Sequence, residues 1–259
     1  MMWFGRSVRG LPAAALVASM ACDSPATPPA DSPPETKPAS QQSPGNTKAP
    51  ADVSAAAVGI QEGAGKDASV LPDPKYVPID GKYHFSKDMF DDRIPVWSRV
   101  LGPFKGRADL GYLEVGVFEG KSVVWMLENI LTDPSSQVTA VDIFPGELKS
   151  TFLRNVQLAG RTEAVTAIEG LSSVELRKLP LQGYDIVYID GSHTADDVLA
   201  DAVLAFGLLK TGGVMIFDDF LWVGRGGGKL LPEELRPALG VSSFIAAYRN
   251  EIEVLENGY

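Results

Sequence analysis

The sequence predicts an α/β domain built on a doubly wound, mostly parallel sheet with helices on both faces. Three observations carry this. Apolar runs recur at LGYLEV, QVTAVDI, YDIVYI and VMIF, and they are too unbroken for strands with one wet face. Between them lie stretches with apolar residues at helical spacing. Strand and helix alternate throughout, which is the pattern of βαβ units.

Taken in order, residues 110–115 form a strand running into Gly116, and residues 120–131 a helix with Val123, Met126, Leu127 and Ile130 at helical spacing. Residues 137–143 are a second strand, followed by a helix near 146–158. A weaker strand at 164–168 and a short helix at 173–179 come next. Residues 184–189 make the fourth strand. The helix after it opens at Thr194, with Asp197 three residues on as a capping partner, and carries Leu199, Val203 and Phe206 on one face. Gly212-Gly213 is expected to end that helix before a fifth strand at 214–217, and 252–255 is a sixth strand. In a sheet of this kind ligands sit beyond the carboxyl ends of the strands.

Composition divides the 259 residues into three zones. In residues 1–22, Arg6 and Arg9 precede an apolar stretch that ends at Cys22, the layout of a secretory leader and too short to span a bilayer. The stretch resembles the lipobox of bacterial lipoproteins, which implies a lipid anchor at Cys22 and a place in the bacterial cell envelope; without a working leader the expected location is the cytoplasm. Residues 23–72 are rich in Pro, Ala and Ser and cannot bury enough apolar surface to offset their ordering entropy, so they read as a disordered linker. Residues 73–259 are the expected folded domain. A formal charge of −10, from 33 acidic and 23 basic residues, argues against a nucleic-acid partner. With one cysteine and two histidines, His84 and His193, a metal here must be held mainly by oxygen. His84 is expected to be structural.

At the first strand end Gly116 and Gly120 frame a Gly-x-x-x-Gly turn, with Phe118 where a dinucleotide-binding turn has its middle glycine. Glu114, just before it, suits an amine-bearing ligand or braces the loop. Asp142 ends the second strand, where a carboxylate can accept two ribose hydroxyls.

The segments LEVGVFEGKS, AVDIF, EGLSS, YIDGSH and LLKTGGVMIFDDF, in this order, resemble a class I S-adenosylmethionine-dependent methyltransferase with a Rossmann-like sheet. Within that superfamily they are most similar to methyltransferase family 24, related to catechol and macrocin-type sugar O-methyltransferases. The resemblance covers about residues 80–259. It implies S-adenosylmethionine held by Glu114, Gly116, Val117, Phe118, Gly120 and Ser122 at its methionine end. Asp142 and Ile143 would hold the ribose, and Gly170, Leu171 and Ser172 lie near the adenine, with Asp190 also touching the cofactor. It also implies a last antiparallel strand beyond 252–255, so that strand is expected to lack its partner and the sequence to stop short of it.

Asp190, Asp218 and Asp219 end neighbouring strands, so their charges converge and call for a divalent cation, Mg²⁺ by preference. Similar enzymes use such a triad to hold the oxygens of a diol. His193, three residues past Asp190, is the expected general base, since an imidazole titrates near neutral pH. Residues 220–235, with Gly224 and Gly226 to Gly228, read as a lid loop. The expected activity is Mg²⁺-assisted O-methylation of a small hydroxylated molecule. An exported chain has no obvious supply of S-adenosylmethionine, which sets against this a membrane-anchored, inactive domain that keeps the pocket for ligand binding.

Overall fold

The computed structural model describes residues 1–7, 81–224 and 230–257. The expected linker at 23–72, most of the expected leader and residues 225–229 of the expected lid lie outside the described residues.

Five strands run parallel: β2 (Gly111–Val115), β3 (Gln137–Asp142), β5 (Tyr184–Ile189) and β6 (Leu209–Phe217), each with a buried apolar run, and the more exposed edge strand β4 (Val165–Glu169). Helices α2 (Lys121–Asn129), α3 (Leu148–Leu158), the short α4 (Ser172–Glu175) and α5 (Ala195–Leu208) connect them, and α1 (Ile94–Leu101) and α6 (Pro237–Tyr248) flank the unit. One apolar cluster packs α1 and α2 on one face, and a second packs α5 and α6 on the other. The doubly wound α/β expectation therefore holds.

Two further strands, β1 (Met2–Arg6) and β7 (Ile252–Asn257), complete a seven-stranded sheet of order β4-β3-β2-β5-β6-β1-β7. β1 lies antiparallel to both β6 and β7, with Met2 opposite Phe217 and Trp3 opposite Ile216 on one side and Phe4 opposite Val254 on the other. The strand at 252–257 thus has the partner it was expected to lack, and that partner is the start of the chain. The domain reading of 73–259 is corrected accordingly: residues 2–6, assigned from sequence to a leader, are an interior strand of the sheet. The driving force is burial: Trp3 and Phe4 are 0% and 1% exposed, and burying one such side chain contributes about 1.5–3 kcal/mol. Trp3 meets Trp97 edge-on at 5.6 Å, and Phe4 packs edge-on against Phe217 and Phe244. Arg6 donates to the carbonyls of Phe206 and Leu209 and lies over the Phe206 ring.

Helix α5 also differs from its reading. It ends at Leu208, and Gly212, at φ +82°, falls inside β6 instead of stopping the helix. Its buried face is Val198, Ala202, Ala205 and Phe206, whereas Val203 is exposed. Thr194 stands at the N-cap position, but its hydroxyl bonds the carboxylates of Asp196 and Asp197 rather than a backbone amide.

Candidate active site

Strand order reverses between β2 and β5, and at such a switch point the loops leaving two adjacent strands open a crevice. Here they touch. A Cβ on Gly116 would lie 2.2 Å from the Asp190 carbonyl oxygen and 2.5 Å from the Gly191 Cα, and Gly116 has φ +81°. Only glycine meets both demands. Gly120, at φ +79°, likewise lies where a Cβ would strike the Phe152 ring at 2.4 Å, so it sets how closely α2 starts against α3.

Asp142 ties the turn to the end of β3. Its Oδ2 accepts from the Val117 and Phe118 amides at 2.6 and 3.0 Å, and its Oδ1 accepts from the Phe144 amide at 2.7 Å. A carboxylate offers about four lone-pair positions, so one remains on Oδ1 for a ligand hydroxyl. Phe118, at φ +51°, is held in the left-handed region by these bonds. Ile143 and Leu171 are large apolar side chains left 58% and 62% exposed at the ends of β3 and β4, a pairing suited to a flat ring. Gly170 donates to the Asp142 carbonyl at 2.9 Å, joining those two ends.

Two expected ligand contacts sit deeper than the cleft. Glu114 is 1% exposed, and its oxygens accept from the hydroxyls of Ser122 and Tyr112. Of its two sequence readings, the brace is the one this placement matches. Burial raises its carboxyl to about 8, against the lowering pull of those two hydroxyls. The Ser172 hydroxyl bonds the buried Asp201, whose carboxyl burial raises to about 6.

At the ends of β5 and β6 the acidic residues meet. Asp190, His193 and Asp219 each present a ligand atom within 4.8 Å of the other two. His193 Nε2 lies 2.6 Å from Asp219 Oδ2, and the imidazole packs 4.9 Å from the Trp222 ring. Asp219 reaches this position with φ +52°, a conformation that costs a non-glycine residue about 1–3 kcal/mol and is characteristic of functional sites. Asp218, expected as a third metal ligand, is otherwise engaged. Arg93 grips it with Nε at 2.7 Å and Nη2 at 3.1 Å, Tyr188 donates at 2.6 Å, and the Asp219 amide donates at 2.8 Å. The set able to share an ion among the described residues is therefore Asp190, His193 and Asp219, with His193 standing where Asp218 was expected.

The electrostatics follow from this arrangement. Burial, and then the charges of Asp218 and Asp219, push the Asp190 carboxyl well above the usual carboxylate range. Burial also pushes Asp218 up, but the Arg93 guanidinium more than offsets it and holds the carboxyl below its ordinary value. Three carboxylates against one arginine leave an excess of negative charge, which a divalent cation relieves. The donor set of two carboxylates and an imidazole fits such an ion. Sequence reasoning missed Arg93 and Tyr188. Arg93 follows two aspartates at the start of α1 and Tyr188 sits inside the apolar run of β5, and no spacing pattern points from either to Asp218. His84 is exposed and acts through its backbone, which pairs with the side chain of Asn155, the structural part expected of it.

A cavity of about 480 Å³ opens beside Asp218 and Asp219, with Met1, Pro95, Val96 and Trp222 among its walls and Arg99 and Glu256 paired at its edge.

An uncharacterised protein of Acanthamoeba polyphaga mimivirus is 32% identical over 120 residues, covering 43% of this chain and 52% of that protein. The chain thus matches about half the length of that curated relative. Among solved structures, an O-methyltransferase from Streptomyces achromogenes involved in tomaymycin synthesis, in complex with SAM, matches at 20% identity over 60% of this chain and 65% of its own, with a TM-score of 0.46. A putative O-methyltransferase from Klebsiella pneumoniae matches at 21% identity over 63% and 70%, with a TM-score of 0.48. Residues 113–220 match the family model described as a methyltransferase domain. Every strand end that builds the candidate site lies inside that segment.

Proposed function

We propose that this protein transfers a methyl group from S-adenosylmethionine to a hydroxyl of a small molecule, with a divalent cation, Mg²⁺ by preference, assisting. The observation that carries the reading is the meeting of Asp190, His193 and Asp219 at the mouth of the Gly116–Gly120 turn. In this reading Asp142 receives the ribose, Ile143 and Leu171 border the adenine, and the turn faces the methionine end. Asp190 and Asp219 hold the cation, which when bound lowers the pKa of the acceptor hydroxyl and orients it.

The chain's own groups supply the remainder. With Nε2–H donating to Asp219, the other imidazole nitrogen of His193 is the acceptor for the substrate proton, and the Asp219 carboxylate stabilises the imidazolium that results. Trp222 restrains the ring. Arg93 and Tyr188 keep Asp218 ionised and fixed, so Asp219, its neighbour, keeps its left-handed backbone. S-Adenosylmethionine held by Asp142 and the Gly116–Gly120 turn would supply the methyl group, and His193 would take the proton of the acceptor hydroxyl.

The shared proximity of His193 also supports a second reading, in which the imidazole is itself a cation ligand. The two separate on one variant. His193→Ala is expected to leave Mg²⁺ affinity within about twofold while lowering turnover about 10²–10⁴-fold if the imidazole is the base. Loss of cation affinity together with turnover favours the ligand reading. Turnover that is indifferent to EDTA removes the cation from the proposal.

A further inference from the structure

We infer that residues 1–6 are a retained, working part of the folded domain, and that cleavage at Cys22 and an intact acceptor pocket are alternative fates of one chain. That the pocket takes a methyl acceptor rests on the methyltransferase reading. The structural part stands on pairing and burial alone.

The sheet order puts β1 between β6 and β7, so β7 joins the sheet through β1. Both edges of β1 are paired: Met2 to Gly5 against Phe217 to Val214, and Met2 to Arg6 against Asn257 to Ile252. Antiparallel register with Met2 opposite Phe217 brings Met1 alongside Asp218, the next residue along. The Met1 side chain is 5% exposed, and its sulfur accepts from the buried Trp97 indole N–H at 3.1 Å. Met1 then lines the 480 Å³ cavity, as Trp222 does. Met1 is thus placed to shape what the cavity admits, positioned there by β1.

The same residues are the charged start of a leader-like sequence. An export receptor needs that start extended and accessible. In the fold, Arg6 is spent on the carbonyls of Phe206 and Leu209, and both strand edges are occupied. One copy of residues 1–6 cannot serve both uses at once. A chain cut at Cys22 and separated from its front piece would lose β1, expose facing edges on β6 and β7, and open the cavity wall.

The test uses the full chain with a C-terminal tag and a protease recognition sequence inserted at about residue 41, within the expected linker. After cleavage, the N-terminal piece is expected to stay with the tagged domain through size exclusion, as a strand held on both edges. The melting temperature should shift by less than about 3 °C, and affinity for S-adenosylhomocysteine by less than about twofold. Trp3→Asp in the cut chain should release the piece. Departure of the piece with collapse of the remainder also supports the inference, since β1 is then integral to the fold. Departure of the piece with melting temperature and S-adenosylhomocysteine affinity unchanged overturns it. If the uncut, folded chain binds no S-adenosylhomocysteine, the cofactor reading fails while the retention result still stands.

Discussion

Asp218 is a nearly buried anion made tolerable by donors on every side: the Arg93 guanidinium, the Tyr188 hydroxyl and the Asp219 amide. Removing the cation from such a pair strands the carboxylate. Arg93→Met is expected to cost about 2–4 kcal/mol, at the low end for buried pairs because the Arg93 side chain is 23% exposed. Adding Asp218→Asn should recover part of that loss. Urea unfolding of the single and double variants measures it, and a loss below about 0.5 kcal/mol for Arg93→Met contradicts the account. Glu114 makes a prediction of opposite kind. Its carboxyl is raised from an ordinary 4.5 to about 8. Between those two values the folded state keeps a proton that the unfolded chain has released, so Glu114 makes stability fall as pH rises through that window. The slope is at most about 1.4 kcal/mol per pH unit. Glu114→Gln should flatten the fall between about pH 5 and pH 8, and an unchanged profile contradicts the assignment. At this scale the sequence was informative where chemistry is concentrated: Asp142, Asp190, His193 and Asp219 all stand at strand ends. It was silent on Arg93, whose role depends on where α1 packs, and it misplaced Asp218, whose partners are set by that same packing.

Glycine-spaced turns are common, so the Gly116–Gly120 turn was legible only beside Asp142 and the other strand-end segments. What the structure adds is the reason: Gly116 is the point where the β2 and β5 loops touch. Gly116→Ala meets backbone atoms at 2.2–2.5 Å in addition to an unfavourable φ, so something must shift. It is expected to destabilise the domain by about 2 kcal/mol or more and to weaken S-adenosylhomocysteine binding at least tenfold. Thermal melts and calorimetry read both, and a silent substitution contradicts the geometry. β1 was not legible. Five residues, MWFGR, carry no turn signal, and their partners lie more than 200 positions away. Arg6 and the apolar stretch after it point to a leader instead. Trp3→Ala should therefore cost about 3–5 kcal/mol, the range for emptying a large core site, where a leader residue outside the fold would cost nothing.

At the scale of the molecule, the strand order brings the loops after β2 and β5 into contact and sets the acidic cluster at the neighbouring ends of β5 and β6, with Met1, just before β1, lining the cavity beside Asp218. The doubly wound sheet was readable from alternation alone, because strands buried on both faces leave a strong apolar signature. Its closure was not, because it depends on a contact between the two ends of the chain. The central claim, that this crevice is built for S-adenosylmethionine, is tested most directly by calorimetric titration of the folded full chain with S-adenosylhomocysteine. The account predicts saturable one-to-one binding, weakened about tenfold or more by Asp142→Ala, which removes the charged acceptor at the ribose position. No saturable heat from a chain that melts cooperatively would contradict it.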